Sequence, residues 1–577
     1  MKKIRYTWIV LVALLTTTSC NDFLDPEADG TLTEKDIFTN YNRSHGFINN
    51  IYNYIPGGFY SVSDAMLACA VDEAKNVNNS AGIKKLTDGS MTAKDFPDSG
   101  TWTHFYTGIR KTNVFLENVD NATFVNSQIA AEDPGANDRY RKQYKGEAYF
   151  LQGLFYFELV KRFGGVPLLP EKRLDISDDL ASFPRSSYDD CIKHIVELCD
   201  QAATLLPNAY NTAATDQFLG RASKASAYAL KSRALLYAAS KLNNPTGDVE
   251  RWKSAAGAAK SILDMPEYGL MQSTDAKFEN MLGIWKEKYN KEVLFATSAT
   301  VSNNVERREF PYGLSYIQAQ GGQGNTNPTH NFVKEFETAD GHTANWAATG
   351  GTTGAQEMYD GLDPRFYYFI AYNGCQVHKK MSDYFLATGV RQESGLEKDP
   401  SSTKTGYYLR KFVDTNANIK DNQDSPTKFW VIFRYAEILL NYAEAMNEAY
   451  GPTDKPSDYA MSALDALNAI RNRVGMPDYE DTHATDQTSL REGIRHERMI
   501  ELCFEEHRFY DIRRWNIGEQ VLNKPVSGIR IEGDAKQVTS WKEFEIEKRV
   551  FSEKMNLYPI PYTEILRTDM QQNSGWE

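Results

Sequence analysis

The chain has 577 residues, enough for several domains or one large helical one, and its 41% hydrophobic and 24% charged residues are ordinary for a globular protein. A formal net charge of -13 repels a polyphosphate partner, and no basic stripe runs along the sequence, so nucleic-acid binding is excluded. The aromatic share, 12% with 33 Tyr and 9 Trp, fills a bulky core and leaves some rings to serve as flat platforms for a ligand.

The N-terminus reads as an export signal. Lys2, Lys3 and Arg5 make a basic start, Tyr6–Leu15 is an apolar run too short to span a bilayer, and Thr18, Ser19 and Cys20 follow. The pattern resembles a bacterial lipoprotein signal, with 1–19 removed and Cys20 lipidated, although Thr17 stands where a Leu is usual. The alternative is an ordinary secretory signal that happens to contain Cys20. No later stretch is apolar enough to cross a membrane, so a soluble body is expected, with 20–45 as tether and start of the fold. The five remaining cysteines are an odd number, against a complete disulfide framework. Cys191 and Cys199 fall eight residues apart on one predicted helix, about 12 Å along its axis and too far to bridge. Buried, inert thiols are expected.

Helical periodicity recurs further on. Tyr140, Tyr144, Ala148, Leu151, Phe155 and Leu159 mark one face of a helix that Gly164 and Gly165 should stop. An Ala-rich segment ends at Asn243, Asn244 and Pro245, and a third aligns Tyr435, Leu439, Tyr442 and Met446 before Gly451 and Pro452. Small residues beside large aromatics suit helix-hairpin arrays, although no strict repeat is visible. The stretch 271–430 differs, with GGQGNTNP, ATGGTTG and SSTKTG between short apolar runs. Long irregular segments in compact proteins tend to be functional. An exposed ligand platform is therefore expected from Tyr312, Tyr316, Trp346 and Tyr359, with Asn303 and Asn325 as polar neighbours and the loop from Asp72 to Trp102 as a second wall. For each aromatic the competing reading is core packing.

The most charged stretch is HERMIELCFEEHRFYDIRRW, His496–Trp515. Glu501 and Glu505, four apart on a helix, would sit about 5–6 Å apart, near the carboxyl spacing of a retaining glycosidase. From Arg495 to Arg514, however, five acids balance five arginines, and Arg498 and Arg508 each lie three residues from one of the two glutamates. Such pairing depresses acid pKa values and suits a structural network, so no catalytic residue is assigned. Metal and cofactor motifs are absent from the sequence. Asp414–Ser425 begins like a calcium loop but has Ile419 where Gly should turn the chain and Ser425 where Glu should close it. There is no H-E-x-x-H, P-loop or G-x-S-x-G.

Several segments together resemble the SusD/RagB family of outer-membrane nutrient-binding lipoproteins. They are CNDFLD at Cys20, VDEAKN at 71–76, WTHFYTGIRKTNVFLENV at 102–119, KGEAYFLQGLFYFELVKRFGGVPL, NKEVLF, NPTHNFVKEFETADG, DPRF, RYAEILLNYAEAMNE, His496–Trp515, NLYPIP and QNSGW. The resemblance implies a mainly α fold, a tetratricopeptide-like helical scaffold with a loop-rich ligand-facing region. It divides the chain into an N-terminal helical region, 46–270, and a C-terminal region, 271–577. It implies no catalysis and no cofactor. It implies a surface protein, lipid-anchored in the outer membrane, that binds oligosaccharides and passes them to a SusC-like TonB-dependent transporter. The alternatives are a peptide binder of the same family and a surface glycoside hydrolase. No fixed ligand motif in the family assigns residues, so the candidates above rest on position and chemistry.

Overall fold

The computed structural model describes residues 32–174, 183–210, 220–272, 281–288, 290–311, 322–346, 357–375, 401–417, 425–533 and 538–577. The longer helices are Tyr41–Ile51 (α1), Gly100–Asn118 (α2), Ala136–Phe163 (α3), Tyr188–Leu205 (α4), Lys224–Ala239 (α5) and Val249–Leu263 (α6), then Tyr435–Tyr450 (α7), Ala463–Arg473 (α8), Gln487–Glu501 (α9) and His507–Arg514 (α10). Local chemistry sets their starts. Ser187, Ser223, Asp248, Ser462 and Asp486 each accept a backbone hydrogen bond from the first turn that follows. The stop predicted at Gly164 is real: its φ is +75°, a conformation that glycine adopts without strain.

From α2 to α8 each helix packs on the next, and α6 packs directly on α7 although about 170 residues of chain lie between them. The array is therefore continuous, and 264–434 is an excursion inserted into it. Among the described residues of that excursion, helices run three to six residues and strands two to four. Close approach is built in: a Cβ on Gly108 of α2 would fall 2.7 Å from the Phe155 ring of α3. α3 is the central helix, buried on nearly every face from Gly146 to Val160. Cys191 and Cys199 both lie on α4, and all the described cysteines are buried and unbridged.

Three antiparallel pairings follow, of which the first ties the excursion to the N-terminal segment, the second closes the excursion on itself and the third is a C-terminal hairpin. Ala74–Asn76 (β1) pairs with Thr326–Pro328 (β3), Val293–Ala296 (β2) with Val431–Arg434 (β4), and Val526–Gly533 (β5) with Val538–Glu547 (β6). The chain's end also closes on α3. The carbonyl of Phe163, left without a helical partner, accepts from Asn573 Nδ2 at 3.0 Å and from Arg185 at 3.1 Å. Tyr558 N donates to the Arg162 carbonyl at 2.7 Å.

Candidate functional site

The stretch His496–Trp515 is structural, but not in the way its local spacing implies. Helix α9 ends at Glu501, and Phe504 and Glu506 turn the chain with φ of +63° and +69°. Glu501 and Glu505 therefore do not share a helix, and the expected partners Arg498 and Arg508 point elsewhere. Arg498 binds Asp511 at 2.7 Å and Arg508 makes two bonds to Asp72, at 3.0 and 2.7 Å. Glu501 instead accepts from Arg434 at 2.7 Å, Arg473 at 2.5 Å and Arg365 at 3.2 Å. Glu505 accepts from Lys411 at 2.7 Å and from both Nε and Nη2 of Arg434 at 2.8 Å. Glu292, which precedes β2, joins Arg434 and Arg473. Burial works against the charge on each acid. The surrounding cations outweigh it, holding Glu501 well below the ordinary carboxylate range and Glu505 and Glu497 below it. A proton donor for glycoside cleavage needs the opposite shift. Burial does raise the carboxyl groups of Glu73 and Glu309, the latter to about 7, but both are at most 1% exposed and shut away from substrate. Among the described residues no group of His, Cys, Asp and Glu could hold a metal ion.

The platform expected from the excursion is not built from Trp346 and Tyr359. Trp346 is 9% exposed and Tyr359 1%. Trp346 packs edge-on against His330, and Tyr359 stacks on Phe366 and touches Tyr372. Rings from neighbouring segments cover both, so their place is the core. Trp102 is likewise core, wedged against Tyr106 and Phe163. Tyr312 and Tyr316, like Cys20, lie outside the described residues.

The polar candidates converge better. The β1–β3 pairing brings the turn after β1 beside residues 322–325, which in turn bond to Arg307 and Arg308. Asn325 is buried and bridges the two: its carbonyl accepts from Val77 N at 2.9 Å, its N–H donates to Arg308 O at 2.8 Å, and its Oδ1 accepts from Asn78 Nδ2 at 3.2 Å. Asn303, also buried, accepts from Arg307 Nε at 3.1 Å. These two asparagines support a surface rather than forming it. The surface itself carries Asn78, Asn79 and Gln323, all exposed, and Arg308, which lies 4.4 Å over the Tyr60 ring and binds Asp64 at 3.1 Å. Ser63, Asp64 and Asn79 there adopt left-handed backbone, with φ of +46°, +63° and +49°. Strain of this kind in non-glycine residues gathers at functional sites. Amide side chains present donors and acceptors together, which matches pairs of hydroxyl groups and offers no nucleophile or general base. The sequence reading named this wall only by its ends, Asp72 and Trp102. The signal it passed over is VNNS at 77–80, two polar residues in a turn directly after a buried strand.

Comparison with known proteins decides the family. A model of the SusD family matches residues 284–576, just over half of the chain. The chain belongs to the SusD family. A second family model, described as starch-binding associating with outer membrane, matches residues 22–236. SusD-like protein P38 of Formosa agariphila is 23% identical over 555 residues, covering 92% of this chain and 94% of its own. A SusD-like protein of Bacteroides fragilis has a TM-score of 0.77 at 29% identity, over 94% of this chain and 98% of that one. A SusD-like carbohydrate-binding protein of the same species reaches 0.71 at 22% identity, covering 92% and 99%. Surface glycan-binding protein A of Bacteroides fluxus reaches 0.62 at 20% identity, covering 93% and 100%. The fold is thus the mainly α SusD-like one. In this SusD-family chain the amide-rich surface draws Asn78 and Asn79 from one matched region and Gln323 from the other.

Proposed function

We propose that this SusD-family chain is a surface lipoprotein of the outer membrane, lipidated on Cys20, that binds oligosaccharide without cleaving it and passes it to a SusC-like TonB-dependent transporter. The observation that carries the reading is the family match, which spans both sides of the proposed boundary near residue 270. Named relatives bind carbohydrate or glycan. The chemistry of the chain agrees: its clustered acids are neutralised by arginine and lysine, and its strained surface turn offers amides and a guanidinium on a tyrosine face. Ligand contacts are assigned to Asn78, Asn79, Gln323 and Arg308, with Tyr312 and Tyr316 as the aromatic members and Asn303 and Asn325 as supports.

Calorimetric titration against a panel of oligosaccharides tests this, with reducing-end assays on the same samples. Binding is expected with no release of reducing ends. Asn79→Ala and Gln323→Ala should each weaken binding about tenfold, roughly 1.4 kcal/mol, with the melting temperature unmoved in Gln323→Ala. Binding of peptides in place of every sugar moves the chain to the peptide-binding reading, and released reducing ends make it a hydrolase. Copurification of a TonB-dependent transporter from native membranes tests the partner.

A further inference from the structure

A second concave site lies away from the amide-rich surface. It is a cavity of about 730 Å³ between α9, α10 and residues 517–526, built entirely from described residues. That volume suits one or two sugar units, within the range of small-molecule pockets. One wall is apolar, with Met499, Ile517, Val521 and Leu522. Charged residues line the rest of it, and the cations among them outnumber the carboxylates. Asp72 is taken up by two hydrogen bonds from Arg508, and Glu492 by Arg495 at 2.8 Å. Arg549, 5% exposed, shares the single carboxylate of Glu547 with Lys75, at 2.9 and 2.6 Å. Its other donors go to the neutral carbonyls of Val71 and Ala74. Lys334 is held by Glu543 at 2.8 Å, and the surplus positive charge on Arg549 and Lys75 is offset in the lining only by the exposed carboxylate of Glu335. Lys524 lines the same cavity, is exposed, and has no carboxylate within ion-pair distance among the described residues. In a chain of net charge -13 such a spot concentrates anions against the general field.

We propose that this cavity is a second ligand site, selective for an acidic sugar: a hexuronate unit whose carboxylate is held by Lys524 beside Arg508 and Arg549, and whose C–H face lies on Ile517 and Val521. Apolar residues and fixed cations lining one cavity discriminate a uronate from a neutral hexose by charge and from a simple anion by its ring. The inference rests on the reading of the chain as an oligosaccharide binder, and its test separates the two.

The intact protein is titrated with galacturonate and glucuronate oligomers, neutral oligomers of the same length, and polyglutamate. Uronate oligomers should bind at least tenfold more tightly than their neutral counterparts. Lys524→Glu should abolish that preference, with thermal stability and neutral-sugar binding unchanged. Val521→Trp, which fills the cavity and leaves the charges, should also remove uronate binding. Uronate affinity unmoved by both substitutions overturns the proposal, and so does polyglutamate binding as tightly as uronate. If neutral sugars bind and uronates gain nothing, the oligosaccharide reading stands and this site falls. If uronate binding answers to Lys524→Glu while the Asn79→Ala and Gln323→Ala variants change no titration, this site stands and the amide-rich surface falls.

Discussion

Glu501→Gln is the substitution that most directly separates a structural network from an active site. The side chain is fully buried and its two oxygens serve three guanidinium groups, on Arg365, Arg434 and Arg473. The amide keeps the shape but removes the charge, and it turns one acceptor into a donor facing a guanidinium. Breaking a buried pair from one side leaves an uncompensated ion and costs about 3–5 kcal/mol. Glu492→Gln is the control: that carboxylate is 64% exposed and pairs with Arg495 at the surface, so its loss should cost no more than about 1 kcal/mol. Guanidinium unfolding followed by circular dichroism near neutral pH reads both values. The pH dependence has a definite sign. The folded state holds Glu501 well below the ordinary glutamate value, so its contribution is complete above the unfolded pKa and is lost as pH falls through the folded one. The gap between wild type and Glu501→Gln should therefore narrow in strong acid. A variant within about 1 kcal/mol of wild type near neutral pH would refute the structural assignment.

Glu309 should behave in the opposite sense. Burial lifts its carboxyl from 4.5 to about 7, so the folded chain keeps a proton that the unfolded chain releases, and about 3 kcal/mol of wild-type stability is lost as pH rises between those values. Glu309→Gln lacks this loss, and unfolding of both proteins near pH 5 and near pH 8 should show the variant gaining relative to wild type; parallel curves would contradict it. Trp346→Ala and Tyr359→Ala should each cost about 3–5 kcal/mol in chemical unfolding, as core truncations do; a lost ligand with an intact melt would restore the platform reading. Cys20→Ala should abolish acyl labelling and release the protein from the membrane fraction, and an unlabelled wild type would sink the anchor.

Much of the scaffold is legible in the sequence because helix periodicity and its punctuation are local. Gly164 stops α3 where the pattern says it should, and the aligned face of Tyr435, Leu439, Tyr442 and Met446 is the helix α7. The balanced charge of His496–Trp515 also announces a structural role. Its partners could not be read, because Phe504 and Glu506 break the helix and bring Glu501 and Glu505 to Arg434, which sits on a strand more than sixty residues earlier. Trp346 misleads for a related reason. In a Gly- and Thr-rich setting it looks like a platform, and only His330, from another segment, shows that it is covered. The amide-rich surface is invisible for the same cause, since Asn78 and Gln323 become neighbours only through the pairing of β1 with β3.

The capping of α3 bears on how the chain acquires its structure. The helix is laid down early and Arg185 can reach the carbonyl at its end soon after, yet that carbonyl's second partner is Asn573, 410 residues further along, and Arg162 O waits for Tyr558. Contacts of such sequence separation are expensive in loop-closure entropy and form late. A chain synthesised N-terminus first would hold the end of its central helix only partly sealed until almost its whole length had been made. Completion then follows synthesis of nearly the whole chain, and a premature stop anywhere before the last few residues should yield a slow-folding, protease-sensitive product rather than a smaller working one.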